Sequence, residues 1–221
     1  MQKGYFITGT DTGVGKTWAT LALMAHLQQQ GHCVLGMKPV ASGCEQTAEG
    51  LRNEDALLIQ QQASIALPYD TINPYAFAPA IAPHLAAAQG DVAIELEPIK
   101  TLAGDLHGQC DYLLVEGAGG WLVPLSANTS IADLATSLQL PVILVVGLRL
   151  GCINHALLSV AAIQQSGCVL AGWVANILDP QMPCLQQNID SIGTRVTAPL
   201  LGTLPYQQQR NTTQLAQYLS V

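Results

Sequence analysis

A chain of 221 residues is long enough for one sizeable core and short for two. It is 49% apolar and only 10% charged, against a charged share of about a quarter in average globular chains, so large buried surfaces are expected, a subunit interface among them. The net charge of −7 leaves eight basic side chains and no basic stripe to track a run of phosphodiesters, which excludes a nucleic-acid platform.

Strand and helix patterns alternate along the chain. Residues 4–8, "GYFIT", read as a buried strand. A helix over about 15–30 follows, with Trp18, Leu21, Ala22 and Ala25 on one face and Gly31 as its stop. "CVLGMKPV" (33–40) is a second strand, and 53–63 a helix. Asn73, Pro74, Pro79 and Pro83 then break up a long connection. A helix near 95–108 precedes "DYLLVEGAGG" (111–120), a strand running into a glycine loop. "PVILVVG" (141–147) has the β-branched continuity of a central parallel strand. A helix from Asn154 to Ser166, strands at 168–176 and 198–205, and a C-terminal helix complete the pattern. The glutamine triplets Gln28–Gln30, Gln60–Gln62 and Gln207–Gln209 fit solvated helix ends and loops. This alternation predicts one α/β domain over residues 1–221, a mostly parallel sheet with helices on both faces.

The sequence carries no membrane-length apolar run and no signal-like opening. Its six cysteines are scattered, without C-x-x-C. Together these predict a reducing, cytoplasmic setting.

Three pieces bear on chemistry. "GTDTGVGKT" (9–17) follows the first strand and opens the first helix, the setting of a phosphate loop, whose backbone N–H groups wrap phosphates while Lys reaches them and Ser/Thr ligates magnesium. Gly13, Gly15, Lys16 and Thr17 supply its inner half. The usual first glycine would fall at Thr10, and Gly9 lies one residue early, so the front of the loop is lengthened. Next, Glu116 follows four apolar strand residues, where a carboxylate is costly to bury without a cation. It is a candidate to complete a magnesium shell. Asp55 near a helix start is by local pattern more simply a dipole-complementing acid. Finally, Lys38 in "KPVASG" (38–43) leaves an apolar strand just before Pro39, at the sheet edge where doubly wound folds bind ligands. By pattern alone a solvated strand-end lysine is the better reading.

With "EGLRNEDAL", "NPYAFA", "VEGAGGW", "LPVILVVG", "GCINHALL", "AGWVAN" and "APLLG", these stretches run in order over residues 5–202. In this the chain resembles the dethiobiotin synthetases, ATP-dependent ligases of biotin synthesis. The resemblance implies ATP, magnesium, CO2 or bicarbonate and 7,8-diaminononanoate as ligands. It assigns catalytic roles to Thr12, Lys16 and Lys38, and magnesium to Thr17, Asp55 and Glu116. ATP would contact Gly13, Val14, Gly15, Lys16, Thr17, Trp18, Asp55, Glu116, Gly117, Ala118 and Gly119, with adenine near Asn176, Leu204, Pro205 and Tyr206. Ser42 would touch the diamine. Gly151, Cys152, Ile153 and Asn154, at a helix N-terminus suited to anions, would hold the substrate carboxylate across a homodimer interface. One departure stands out: Gly13 replaces a glutamate frequent in the family loop. The alternatives are a partitioning-type P-loop ATPase, a group that carries a signature lysine where this chain has Asp11, and a nucleotide-binding paralogue without synthetase activity.

Overall fold

In the computed structural model, which describes residues 3–207 and 211–221, the first strand β1 (Lys3–Gly9) leads through a glycine loop into helix α1 (Lys16–Gln29). Of the glutamine triplet at 207–209, Gln208 and Gln209 lie outside the described residues. Strand β2 (Val34–Met37) ends one residue before Lys38, and the chain resumes as β3 (Val40–Ser42). The single strand expected over 33–40 is therefore two, separated by Lys38 and a Pro39 that has no N–H to give a ladder. A hairpin of β4 (Glu45–Thr47) and β5 (Gly50–Arg52), which the sequence reading did not anticipate, precedes helix α2 (Glu54–Gln62).

The long connection holds a one-turn helix α3 (Tyr69–Ile72), strand β6 (Tyr75–Phe77) and helix α4 (Pro83–Gln89). Pro83, read as a breaker, is the opening residue of α4, a position whose N–H has no intrahelical partner in any case. Then come α5 (Leu96–His107), β7 (Tyr112–Gly120), α6 (Ile131–Leu138), β8 (Val142–Leu148), α7 (Cys152–Gln165), β9 (Leu170–Ile177), α8 (Leu185–Gly193), β10 (Leu200–Leu204) and the short α9 (Thr212–Leu215). A 3-10 turn at Ala216–Tyr218 follows, so the expected C-terminal helix is two short turns. Helix α6 starts at a capping box in which Ser130 and Asp133 bond reciprocally.

The main sheet has the order β10-β9-β8-β1-β7-β2, every neighbouring pair parallel. Its side chains alternate between two cores. Leu113 and Val115 of β7 and Val142, Leu144 and Val146 of β8 face α5, α6, α7 and α8. Leu114, Ile143 and Val145 face α1, α2 and α9. All seven residues of β8 are buried, as a strand covered on both faces requires. Because β1 lies between β7 and β8, the loop leaving it emerges at the carboxyl edge of the sheet where the direction of winding reverses. That is where ligands of doubly wound folds sit.

Candidate active site

The loop between β1 and α1 is shaped by two left-handed glycines, Gly13 (φ 74°) and Gly15 (φ 87°). Gly9 does the work of the missing front glycine. A side chain there would bring its Cβ within 2.6 Å of Val14 and 3.0 Å of the Lys16 stem, so only glycine lets the loop fold back on the strand. Thr10 is tied down instead, its N–H donating to the Val145 carbonyl at 3.0 Å. Val14 is buried, and its carbonyl accepts from Asn176 Nδ2 at 2.8 Å, which anchors the loop to the end of β9. Asp11 bonds the Thr12 N–H at 2.7 Å and pairs with Arg149, just past β8. The Thr12 N–H bond and the Arg149 charge hold the Asp11 carboxyl below its ordinary range.

Glu116 is wholly buried, and three groups converge on it. Oε1 accepts from the Lys38 ammonium at 2.6 Å and from the Thr17 hydroxyl at 2.9 Å, and Oε2 from the Thr20 hydroxyl at 2.8 Å. Lys38 also donates to Asp55 Oδ2 at 3.0 Å. The strand does not stop at this acid as expected. It continues through "GAGG" to Gly120, so Glu116 sits within β7, and its burial rests on these donors. Asp55 lies in the first turn of α2, capped by Asn53, whose side chain accepts from the Ala56 N–H at 3.2 Å. Burial opposes the charge on Lys38, but the adjacent Glu116 and Asp55 outweigh it and raise its pKa. Burial likewise opposes charge on Asp55, and Lys38 overturns it, so Asp55 is depressed.

Lys16 behaves otherwise. Its ammonium donates to the Asp11 carbonyl at 3.0 Å, and burial pushes its pKa down to about 8; Glu116 opposes the shift and the nearby Lys38 charge adds to it.

These groups open on a cavity of about 740 Å³. Thr12, Gly13, Gly15, Lys16, Thr17 and Trp18 form its phosphate-loop side, and Lys38, Ser42, Asp55 and Glu116 its polar wall. Ala118 and Gly119 line it too, with an apolar wall from Val40, Val123 and residues 80–83. Ser42 Oγ is buried and has no hydrogen-bond partner among the described residues. Val14 and Gly117 are not part of the cavity wall; Gly117 packs against Ile131 and Phe6. Nor are Asn176, Leu204, Pro205 and Tyr206, although strand register puts Asn176 beside Gly147 and Leu204 on the same sheet edge. Gly151 caps α7 in a left-handed conformation (φ 94°), with Cys152, Ile153 and Asn154 as the helix's first residues, also off the cavity wall. Thr20, Arg149 and the wall at 80–83 are site features that sequence reading missed. The i, i+3 spacing of Thr17 and Thr20 was the one available signal.

A divalent cation fits the donors present. Asp55, Glu116 and the Thr17 hydroxyl offer oxygen alone, the hard set that suits magnesium, which is held by one or two carboxylates with phosphate and water completing its shell. The ammonium of Lys38 between the two acids shows that the spot accepts positive charge.

A phosphate loop joining strand to helix at the carboxyl edge of a parallel sheet, with a buried acid on the neighbouring strand, defines a P-loop nucleotide-binding protein. Solved structures agree. The MinD cell division protein of Aquifex aeolicus superposes with a TM-score of 0.57 at 17% identity, covering 93% of this chain and 83% of that one. A ParA family ATPase from Chlorobium tepidum gives 0.55 at 15%, covering 94% and 86%. At such identities the likeness is one of fold. A family model described as an AAA domain matches residues 3–214. Sequence relatives are much nearer. The ATP-dependent dethiobiotin synthetase BioD of Cellvibrio japonicus is 50% identical over 204 residues, 92% of this chain and 90% of that protein. Its counterpart in Pseudomonas aeruginosa is 48% identical over 218 residues, covering 98% and 96%. The chain belongs to the ATP-dependent dethiobiotin synthetase family, a family of ligases.

Proposed function

We propose that this chain, as one domain over residues 1–221, carboxylates 7,8-diaminononanoate with CO2 and closes the ureido ring at the expense of ATP, giving dethiobiotin, ADP and phosphate. The observation that carries the reading is the meeting of Lys16, Lys38, Thr17, Asp55 and Glu116 on one cavity beside the phosphate loop. Near-full-length identity to dethiobiotin synthetases supports the substrate.

In this reading a neutral amine of the diamine adds to CO2 and loses a proton to give a carbamate. A carbamate oxygen then attacks the γ-phosphorus of ATP and expels ADP, forming a carbamic–phosphoric anhydride. The second amine attacks the anhydride carbonyl, phosphate leaves, and the ring closes. No protein nucleophile is needed, so the chain's contribution is positioning and charge. Lys16 reaches the terminal phosphates from α1, and the backbone of Gly13 to Thr17 wraps them. Lys38 neutralises charge on the carbamate and the transferring phosphoryl group. Thr12 hydrogen-bonds phosphate or carbamate, and Ser42, whose hydroxyl has no partner among the described residues, takes up a polar group of the diamine. Asp55, Glu116 and Thr17 would hold magnesium, which when bound neutralises phosphate charge. Asn176 and the turn Leu204–Tyr206 would face adenine. The α7 N-terminus at Gly151–Asn154 would bind the substrate carboxylate from a second copy of the chain in a homodimer.

The test is to incubate purified protein with diamine, bicarbonate, magnesium and ATP and to follow both ADP and the ureido product by mass spectrometry. Product formed in step with ADP is the expected result. ADP release that ignores the diamine would overturn the substrate and point to an ATPase of another kind.

A further inference from the structure

Glu116 has two oxygens, and only one of them meets the Lys38 ammonium. Oε1 meets Thr17 and Lys38, while Oε2 is 2.8 Å from the hydroxyl of Thr20, a fully buried residue one turn further along α1. The same hydroxyl lies 3.0 Å from the Lys16 carbonyl, but it has a single hydrogen. That carbonyl already has an acceptor role in the helix, for the Thr20 amide. The carboxylate is the stronger acceptor, so the hydrogen goes to Glu116. Helix α1 thus grips the acid of β7 at both oxygens, through Thr17 and Thr20.

We propose that Thr20 is a positioning residue, whose hydroxyl locks the Glu116 carboxylate so that Oε1 alone is offered to the cation of the site. This rests on the reading of Glu116 as a magnesium ligand. Outer partners of ligating carboxylates orient them, and losing one costs about 10–100-fold in metal affinity or activity. A Thr20 with a purely packing role would affect stability and leave metal affinity alone.

The experiment measures Mn2+ binding by electron paramagnetic resonance in the presence of a non-hydrolysable ATP analogue. It compares the wild type with Thr20→Val, Thr20→Ser, Glu116→Gln and the double variant Thr20→Val/Glu116→Gln. Thr20→Val keeps the side-chain shape and removes the hydroxyl; it is expected to weaken Mn2+ by about tenfold or more, while analogue affinity in EDTA stays at the wild-type level. Thr20→Ser is expected to restore binding, and Thr20→Val to add nothing once Glu116 is Gln. If Thr20→Val does not fold, as judged by circular dichroism, Thr20→Ala carries the same comparison. Wild-type Mn2+ affinity in Thr20→Val, with Glu116→Gln impaired, would overturn the role of Thr20 and leave the metal reading standing. Equal losses in Thr20→Val and Thr20→Ser would assign the effect to packing and also overturn it. Wild-type affinity in Glu116→Gln would remove the metal reading and the Thr20 proposal with it.

Discussion

The ammonium of Lys38 stands 2.6 Å from Glu116 Oε1, and the acid has no exposed surface at all. Removing one partner of such a pair leaves the other charge buried without compensation, at a cost of about 3–5 kcal/mol. Lys38→Gln is therefore expected to lower the urea midpoint sharply, and to cut turnover by about a hundredfold or more, the scale for one oriented charge contact. Comparing the Lys38→Gln loss of stability with that in Glu116→Gln checks the coupling. The double variant should lose less than the sum of the singles.

Lys16 gives a pH prediction of opposite sign to that of an ordinary paired lysine. In the folded chain it binds its proton only below about 8, but in the unfolded chain below its ordinary 10.5. Between those values the unfolded chain holds more protons, so this group makes stability rise with pH across that window. Below about pH 8 the cost of its buried charge is fully present. Lys16→Met is accordingly expected to be more stable than the wild type at pH 7, by on the order of 2 kcal/mol, with the gain fading by about pH 10.5. A gain that is flat with pH in chemical denaturation would contradict this.

The same depressed value links protonation to nucleotide binding. Phosphates favour charged Lys16, so ATP binding at pH 8.5–9 should draw in a proton. Calorimetry in buffers of different ionisation enthalpy reads this uptake directly. Lys16→Met should abolish it.

Gly13 stands where the resemblance to the dethiobiotin synthetases implies a glutamate. At φ 74° a side chain is strained, yet an added Cβ would meet nothing within 4 Å. Gly13→Glu is expected to fold, at a cost of about 1–2 kcal/mol for the left-handed conformation. It adds a carboxylate at the cavity wall and is expected to lower KM for the diamine with little change in KM for ATP. Steady-state kinetics at varied diamine and fixed ATP checks this.

How far the site was readable from residues alone follows from chain distance. The inner phosphate loop is contiguous, so Gly13, Gly15, Lys16 and Thr17 declared themselves by spacing, and the apolar run of β8 declared its burial. The contact of Asp55 with Lys38 depends on how α2 packs beyond β2, which local pattern does not encode; only the family resemblance singled it out. Thr20 looks like any polar residue of a helix until β7 is laid beside it. Helix α4 was hidden because Pro83 suits a first turn as well as a break. In α6 the capping signal in "SIAD" went unread. The split of β2 from β3 was written plainly in Pro39, yet the apolar run around it masked the interruption.

That split also decides what kind of motion Lys38 can make. Its own N–H is held by the Ile72 carbonyl at 2.9 Å, its carbonyl by Asn73 Nδ2 at 2.7 Å, and the next carbonyl, on Pro39, by the Tyr75 N–H at 3.1 Å. With the main chain pinned on both sides, exchange of the ammonium between its two acids and an incoming ligand is left to the four-carbon stem. Rotamer hops of that sort are completed far sooner than a loop rearranges, even when burial slows them. The rim of this sheet can thus trade one counter-charge for another while its scaffold stands still.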